Sequence, residues 1–223
     1  MSHERREAYW EHRLQEVRAQ LSEMGRLAQR NLHDSLQALI QGDSDLADQV
    51  ESRDSEVDAL EKHLDATVVA FVSTHSPAAT DCRQLLMAMK IGAEWEEIAD
   101  QATTIARRAR QLSRCAAMGR PIPLESIANP VQAMVTASLQ ALDQKDSALA
   151  RSVIDRDDEV DREYAKAIHE IQASILADRS VVGPALHWLT ILKALERAAD
   201  RSANIAEEIV FWLEAEDIRH TTP

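Results

Sequence analysis

Glycine is scarce in this 223-residue chain: 5 Gly, where average usage would give about three times as many, alongside only 6 Pro, 4 Trp, 2 Tyr and 2 Phe. Sheets and tight turns draw on glycine, β-branched and aromatic side chains, so their shortage argues against an extensive β fold. The surplus of Ala, Leu, Glu, Gln and Arg predicts an all-α protein. Cysteine is nearly absent as well. Cys82 and Cys115 form no C-x-x-C pair, which leaves neither a disulfide framework nor a zinc site and suits a reducing, cytoplasmic setting. No run approaches the roughly 18 apolar residues of a spanning helix, and Met1 to Tyr9 is charged, so no direct membrane insertion is expected. Positive charge is short: 25 Lys plus Arg against 38 Asp plus Glu give a net −13. That balance argues against nucleic acid, whose phosphates need a surplus of Lys and Arg, and favours bound cations or a cationic partner. The 45% of hydrophobic residues still suffices for one large or two small cores.

Breakers at Gly42-Asp43, His75-Ser76-Pro77, Gly119 to Pro123, Asp143 to Asp146 and Arg179 to Pro184 divide the chain into six helical pieces. Leu14, Val17, Leu21, Met24, Ala28, Leu32, Leu36 and Leu39 recur at three and four, predicting a first helix of nearly 40 residues. Val50, Val57, Leu64, Val68 and Phe71 mark the second, and Ser76-Pro77 reads as the N-cap and first residue of the third. The second half repeats the first. Arg53-Asp54-Ser55-Glu56-Val57-Asp58 aligns with Arg156-Asp157-Asp158-Glu159-Val160-Asp161, and Ala99-Asp100 with Ile105-Ala106 aligns with Ala199-Asp200 and Ile205-Ala206. The expected architecture is therefore two tandem three-helix bundles, residues 1–119 and 120–223, six long antiparallel helices packed side by side.

Acidic residues four apart share a helix face, and uncompensated pairs destabilise a helix by a few tenths of a kcal/mol. The sequence has eight such pairs: Glu7/Glu11, Asp54/Asp58, Glu61/Asp65, Glu96/Asp100, Asp155/Glu159, Asp157/Asp161, Glu159/Glu163 and Glu196/Asp200. A lone pair is ordinarily a solvated face, but four of these are duplicated by the repeat. In each half one duplicated pair falls on the second helix and one on the third, at similar distances from their hairpin, so four carboxylates should meet. Like charges at close quarters protonate or recruit cations. The expectation is two all-oxygen metal sites: Asp54, Asp58, Glu96 and Asp100 in the first half, and Asp157, Asp161, Glu196 and Asp200 in the second. Asn204 is an added amide ligand where the first half has Thr104. Oxygen donors suit Fe, Mn, Mg or Ca ahead of copper. Glu207 and Glu208 correspond to Arg107 and Arg108, and Arg107 to Arg120 carries five Arg and no acid. This basic end reads as helix-dipole compensation or as a docking patch for an acidic partner.

The run Leu195-Glu196-Arg197-x-x-Asp200-x-x-x-Asn204-Ile205-Ala206-Glu207-Glu208, ending Glu216-Asp217-Ile218-Arg219-His220, resembles the C-terminal signature of the PhoU family. The resemblance implies tandem three-helix bundles and metal clusters, of iron or zinc in family members, on the carboxylates above. It also implies a homodimeric cytoplasmic adaptor: a negative regulator of phosphate uptake that couples a phosphate ABC transporter, through its ATPase subunit, to a membrane sensor histidine kinase. The first half departs from the fuller signature at Thr104, Arg107 and Arg108.

Motifs for hydrolases, P-loop and dinucleotide enzymes are missing, so no enzyme is expected. Two alternatives stand beside the adaptor. A ferritin-like di-iron enzyme needs Glu-x-x-His on two helices, and no Glu here has His three residues later. A metal-free helical scaffold would leave the carboxylates as solvated faces. Trp95 and Trp188 are expected to be packing anchors, the scattered His residues to be surface or core positions, and Tyr9 and Trp10 to make an oligomer contact.

Overall fold

The computed structural model describes residues 3–74, 77–115 and 122–218, with side chains from residue 10 onward. Among the described residues seven α-helices run in order: α1 His3–Gln41, α2 Ser44–Thr74, α3 Ala79–Leu112, α4 Glu125–Gln144, α5 Ser147–Ile154, α6 Asp157–Ala177 and α7 Val182–Glu214, with a 3-10 turn at Arg179–Val181 leading into α7. No strand occurs among the described residues. α1 is 39 residues long, and the predicted stripe from Leu14 through Leu36 is buried. α5 and α6 are one predicted helix in two pieces, so the six long helices of the tandem bundles are present with the fifth interrupted at Asp155-Arg156.

The two halves use the same connection between their first and second helices. Gly42 has φ +69° and Lys145 has φ +55°, and these are equivalent residues of the repeat. In both, the next amide reaches back five residues, Asp43 N–H to the Ala38 carbonyl and Asp146 N–H to the Ala141 carbonyl, each at 3.0 Å. This is the Schellman closure that satisfies the last carbonyls of a helix. Asp43 and Asp146 then cap the following helix, accepting from Leu46 N at 3.0 Å and Leu149 N at 2.9 Å. The third helix begins two residues later than predicted. Its N-cap is Ala78 in extended geometry, so Pro77 precedes the helix, and Ser76 lies outside the described residues. Residues 116–121, which hold most of the predicted junction between halves, also lie outside them.

α2, α3, α7 and the α5–α6 helix form one layer. α1 packs beneath α2 and α3, α4 beneath α7 and α5–α6, and α1 meets α4. Trp95 is fully buried and Trp188 nearly so, as anchors should be. α1 can lie close to Trp95 because residue 25 is glycine: a Cβ there would sit 2.8 Å from Leu139 and 3.0 Å from the indole. Trp10, half-buried, packs edge-on to Phe71 within the chain with centroids 4.4 Å apart; the Tyr9 side chain lies outside the described set. No described helix is long and apolar enough to cross a membrane.

α3 and α7 cross between the halves. Lys90 meets Glu208, and Glu94 meets Arg201 and Asn204, an antiparallel register that sets Ala99 opposite its repeat equivalent Ala199. A pseudo-two-fold axis therefore passes between these two buried alanines. It places both predicted carboxylate sets at one height on the layer away from α1 and α4.

Candidate metal centres

The second cluster is the better assembled. Asp161, Glu196 and Asp200 each offer a carboxylate oxygen, and the three atoms lie within 4.8 Å of one another, the only such convergence among the described residues. Asp157, one turn before Asp161, lines a cleft of about 380 Å³ with Asp200 and Asn204. Burial raises the Asp157 carboxyl to about 6, with Asp200, Asp161, Asp158 and Glu196 adding to the effect. Asp200 is raised by burial and by Glu196 and Asp161. The Asp157 Oδ1 is buried and accepts no hydrogen bond. A buried carboxylate oxygen without a donor, facing three more carboxylates, is the donor set a hard cation would satisfy, so these residues fit a metal.

Local sequence explains why Asp157 stands where it does. Asp155, Asp157, Asp158 and Glu159 crowd four carboxylates into five residues. Interrupting the helix at Asp155-Arg156 turns three of them into first-turn residues of α6, where the helix dipole favours negative charge. In the first half the matching Arg53 donates to Asp34 of α1 at 2.6 Å, and α2 runs on unbroken. The residue equivalent to Asp34 is Ala137, which offers Arg156 no such anchor.

The first cluster forms with different bonding. Asp54 accepts from the Thr103 hydroxyl at 3.0 Å. Burial raises its pKa while Thr103 opposes the rise. Asp100 is raised by burial and by Asp54, Glu97 and Asp58. Glu96 is the most perturbed: burial takes it to about 7, with Asp100, Glu61, Asp58 and Glu97 contributing. Asp54, Asp58, Glu96 and Asp100 thus do share one electrostatic site, but no three converge as in the second half. Glu61 joins them, and sequence reasoning missed it. Its pair with Asp65 has no counterpart in the repeat, yet it lies one turn beyond Asp58 on the face set by Asp54 and Asp58. That spacing was the available signal.

Internal cations reach both sets, Lys62 coming within 4.0 Å of Asp58 in the first. Lys193 donates to both oxygens of Glu196 at 2.6 and 2.5 Å. Asn204, expected as a ligand, points its Nδ2 across the seam to Glu94 at 3.3 Å; its Oδ1 is the atom left to face the cleft. Arg107 and Arg110 pair with Glu51, and Arg110 also with Asp48, so part of the basic end of α3 is held by α2.

Fold and site together define a class: an internally duplicated, two-layer helical protein with paired carboxylate clusters on one face. The PhoU domain model matches the chain twice, over residues 21–109 and 124–209, and the chain belongs to the PhoU family. It is 35% identical over 208 residues to the phosphate-specific transport system accessory protein PhoU homolog of Pseudomonas aeruginosa, spanning 93% of this chain and 86% of that one. It is 30% identical over 209 residues to the accessory protein PhoU of Escherichia coli, spanning 93% and 86%. The crystal structure of PhoU from Pseudomonas aeruginosa superposes with a TM-score of 0.90 at 33% identity, over 93% of this chain and all of that one.

Proposed function

We propose that this chain is the accessory protein of a phosphate-specific transport system: a metal-binding, non-enzymatic negative regulator of phosphate uptake and phosphate-starvation signalling. The observation that carries the reading is family membership across both repeats. As an adaptor in the cytoplasm it would join the ATPase subunit of a phosphate ABC transporter to a sensor histidine kinase, holding the kinase in its phosphatase state when phosphate is abundant. A homodimer would present these surfaces twice.

Asp157, Asp161, Glu196 and Asp200, with the Asn204 amide oxygen, would hold one set of ions, and Asp54, Asp58, Glu96 and Asp100, with Glu61 beside them, the other. Bound Fe, Zn, Mn, Mg or Ca ions supply positive charge to carboxylates that otherwise repel. The chain's own contribution is to fix those carboxylates on two rigid helix pairs. Neutralising them tightens α2 to α3 and α6 to α7, and sets the shape and charge of the face a partner reads.

The test is elemental analysis of untagged protein purified without chelator, wild type against the variant with Asp157, Asp161, Glu196 and Asp200 all changed to Ala. Stoichiometric metal that falls by about half supports two clusters. Metal-free protein in both leaves a helical scaffold. In the host, deleting the gene should switch on phosphate-starvation genes in high phosphate, and continued silence of those genes would overturn the regulatory assignment.

A further inference from the structure

The seam between α3 and α7 is fastened on one side of the pseudo-two-fold axis and open on the other. On the fastened side, Arg201 and Asn204 donate to Glu94, each at 3.3 Å, and Lys90 donates to Glu208 at 2.8 Å. The axis carries Lys90, Glu94, Arg201, Asn204 and Glu208 onto Thr190, Ala194, Gln101, Thr104 and Arg108. That second set cannot remake the ion pairs, and there the helices frame a cleft of about 740 Å³.

Gln101, Thr104 and Ala194 line the cleft, with Arg107, Lys193 and Arg197 beside them and Leu186 and Leu189 toward the start of α7. Charge is graded along it. Glu97 and Asp100 stand at the end near the axis. Arg107 and Arg108 stand at the other, and Arg108 lies close enough to His187 to join burial in lowering its pKa. Leu186 is 57% exposed and Val182 38%, and with the half-buried Leu189 they make a stripe at helical spacing that no described residue fully covers. Arg107 and Arg108 flank these leucines at the outer end, Arg107 spending one edge on Glu51, and no carboxylate lines the cleft there; Lys193, bonded to Glu196, and Arg197 lie nearer the axis, so in a chain of net charge −13 the outer end is where this cleft attracts acid.

The geometry points to a docking groove for an acidic amphipathic helix of a partner protein, lying between α3 and α7 with its apolar face on Leu186 and Leu189 and its carboxylates toward Arg107 and Arg108. A compact anion would also face Glu97 and Asp100, whereas a helix can confine its acids to the basic end and use the exposed leucines, which a small ion cannot. This deepens the adaptor reading and rests on it for the partner's identity.

Two arms of one binding experiment separate the two ideas. In the first, the purified kinase cytoplasmic portion and transporter ATPase are titrated against full-length wild type, Leu186→Glu, Arg108→Glu and the repeat-equivalent control Leu86→Glu. All these positions are on the surface, and unchanged melting temperatures confirm folding. Affinity should fall at least about tenfold for Leu186→Glu and Arg108→Glu and stay level for Leu86→Glu. In the second arm the probe is a synthetic helix of roughly 18 residues with leucines at three-four spacing flanked by Glu, compared with its Lys-flanked counterpart. Only the Glu peptide should bind, more weakly in high salt and not to Leu186→Glu. Partners that bind wild type and Leu186→Glu equally, with no peptide binding, overturn the groove and leave the adaptor standing. A groove-dependent peptide with no binding by either partner upholds the groove and removes the adaptor partners. Loss of a wild-type dimer on Leu186→Glu, seen by sedimentation, would make the occupant a second copy and overturn the proposal.

Discussion

Asp54 and Asp157 hold the same place in the same six-residue motif, yet one is satisfied and the other is not. Asp54 sits mid-helix and accepts from Thr103. Asp157 opens a new helix and has a buried oxygen with no donor. The residue equivalent to Thr103 is Ala203, so a hydroxyl on the neighbouring helix decides whether the carboxylate is already spent. The comparison teaches that duplicated ligands need not mean duplicated sites. What the ligands touch outside the motif sets how much of their bonding capacity is left for an ion.

The largest effect expected from breaking the equivalence is in the core. Gly25→Ala drives a methyl against Trp95 and Leu139 and should destabilise by about 1–3 kcal/mol in urea unfolding. The equivalent residue is already Ala128, and the smaller Leu195 stands in the repeat where the first half has Trp95, so Ala128→Gly should cost only about 0.5–1 kcal/mol. Equal losses would deny that the halves trade volume.

Next comes an exchange of the hydroxyl. Thr103→Ala should strengthen metal binding to the first cluster, and Ala203→Thr should weaken it at the second, each by roughly tenfold in calorimetric titration with Mn²⁺ or Zn²⁺. No change in either variant would mean that Asp54 and Asp157 are not ligands.

Acidity sharpens the comparison without mutation. Glu96 at about 7 and Asp157 at about 6 have folded-state pKa values above those of the unfolded chain, so the folded state binds more protons in between. Stability from these groups therefore falls as pH rises through that window. Chelator-treated protein should melt at a lower temperature at pH 8 than at pH 5.5, and bound metal, which favours the deprotonated carboxylates, should flatten or reverse the trend. A chelated protein that gains stability steadily toward pH 8 would contradict the clustering.

The smallest effect concerns the shared turn. Lys145 adopts the left-handed geometry that Gly42 supplies in the first half, so Lys145→Gly should stabilise by about 0.5–1 kcal/mol in thermal unfolding.

Most of the fold was legible because spacing of Leu, Val and Ala reports a helix face directly, and because the Asp-x-x-x-Asp repeat marks equivalent heights on neighbouring helices. The break at Asp155-Arg156 was not legible. It depends on whether an arginine finds a carboxylate on another helix, and Asp34 is remote from Arg53 in sequence. Glu61 was hidden because the repeat was used to choose ligands, and Glu61 has no repeat partner. Nor could the open side of the α3–α7 seam be read, since it required knowing that Glu94 faces Asn204 while Ala194 faces Thr104.

The α3–α7 seam also fixes when the two halves can join. α7 is synthesised after the other six described helices, and among them it covers the flank of α3 that lies along the axis. A ribosome-bound chain that has released α1, α2 and α3 can form its first bundle early, from contacts close in sequence. It must then hold one flank of that bundle uncovered for about a hundred residues of further synthesis, several seconds at usual elongation rates. Polar Glu94, Gln101 and Thr104 along that flank keep the waiting surface from being a purely apolar strip.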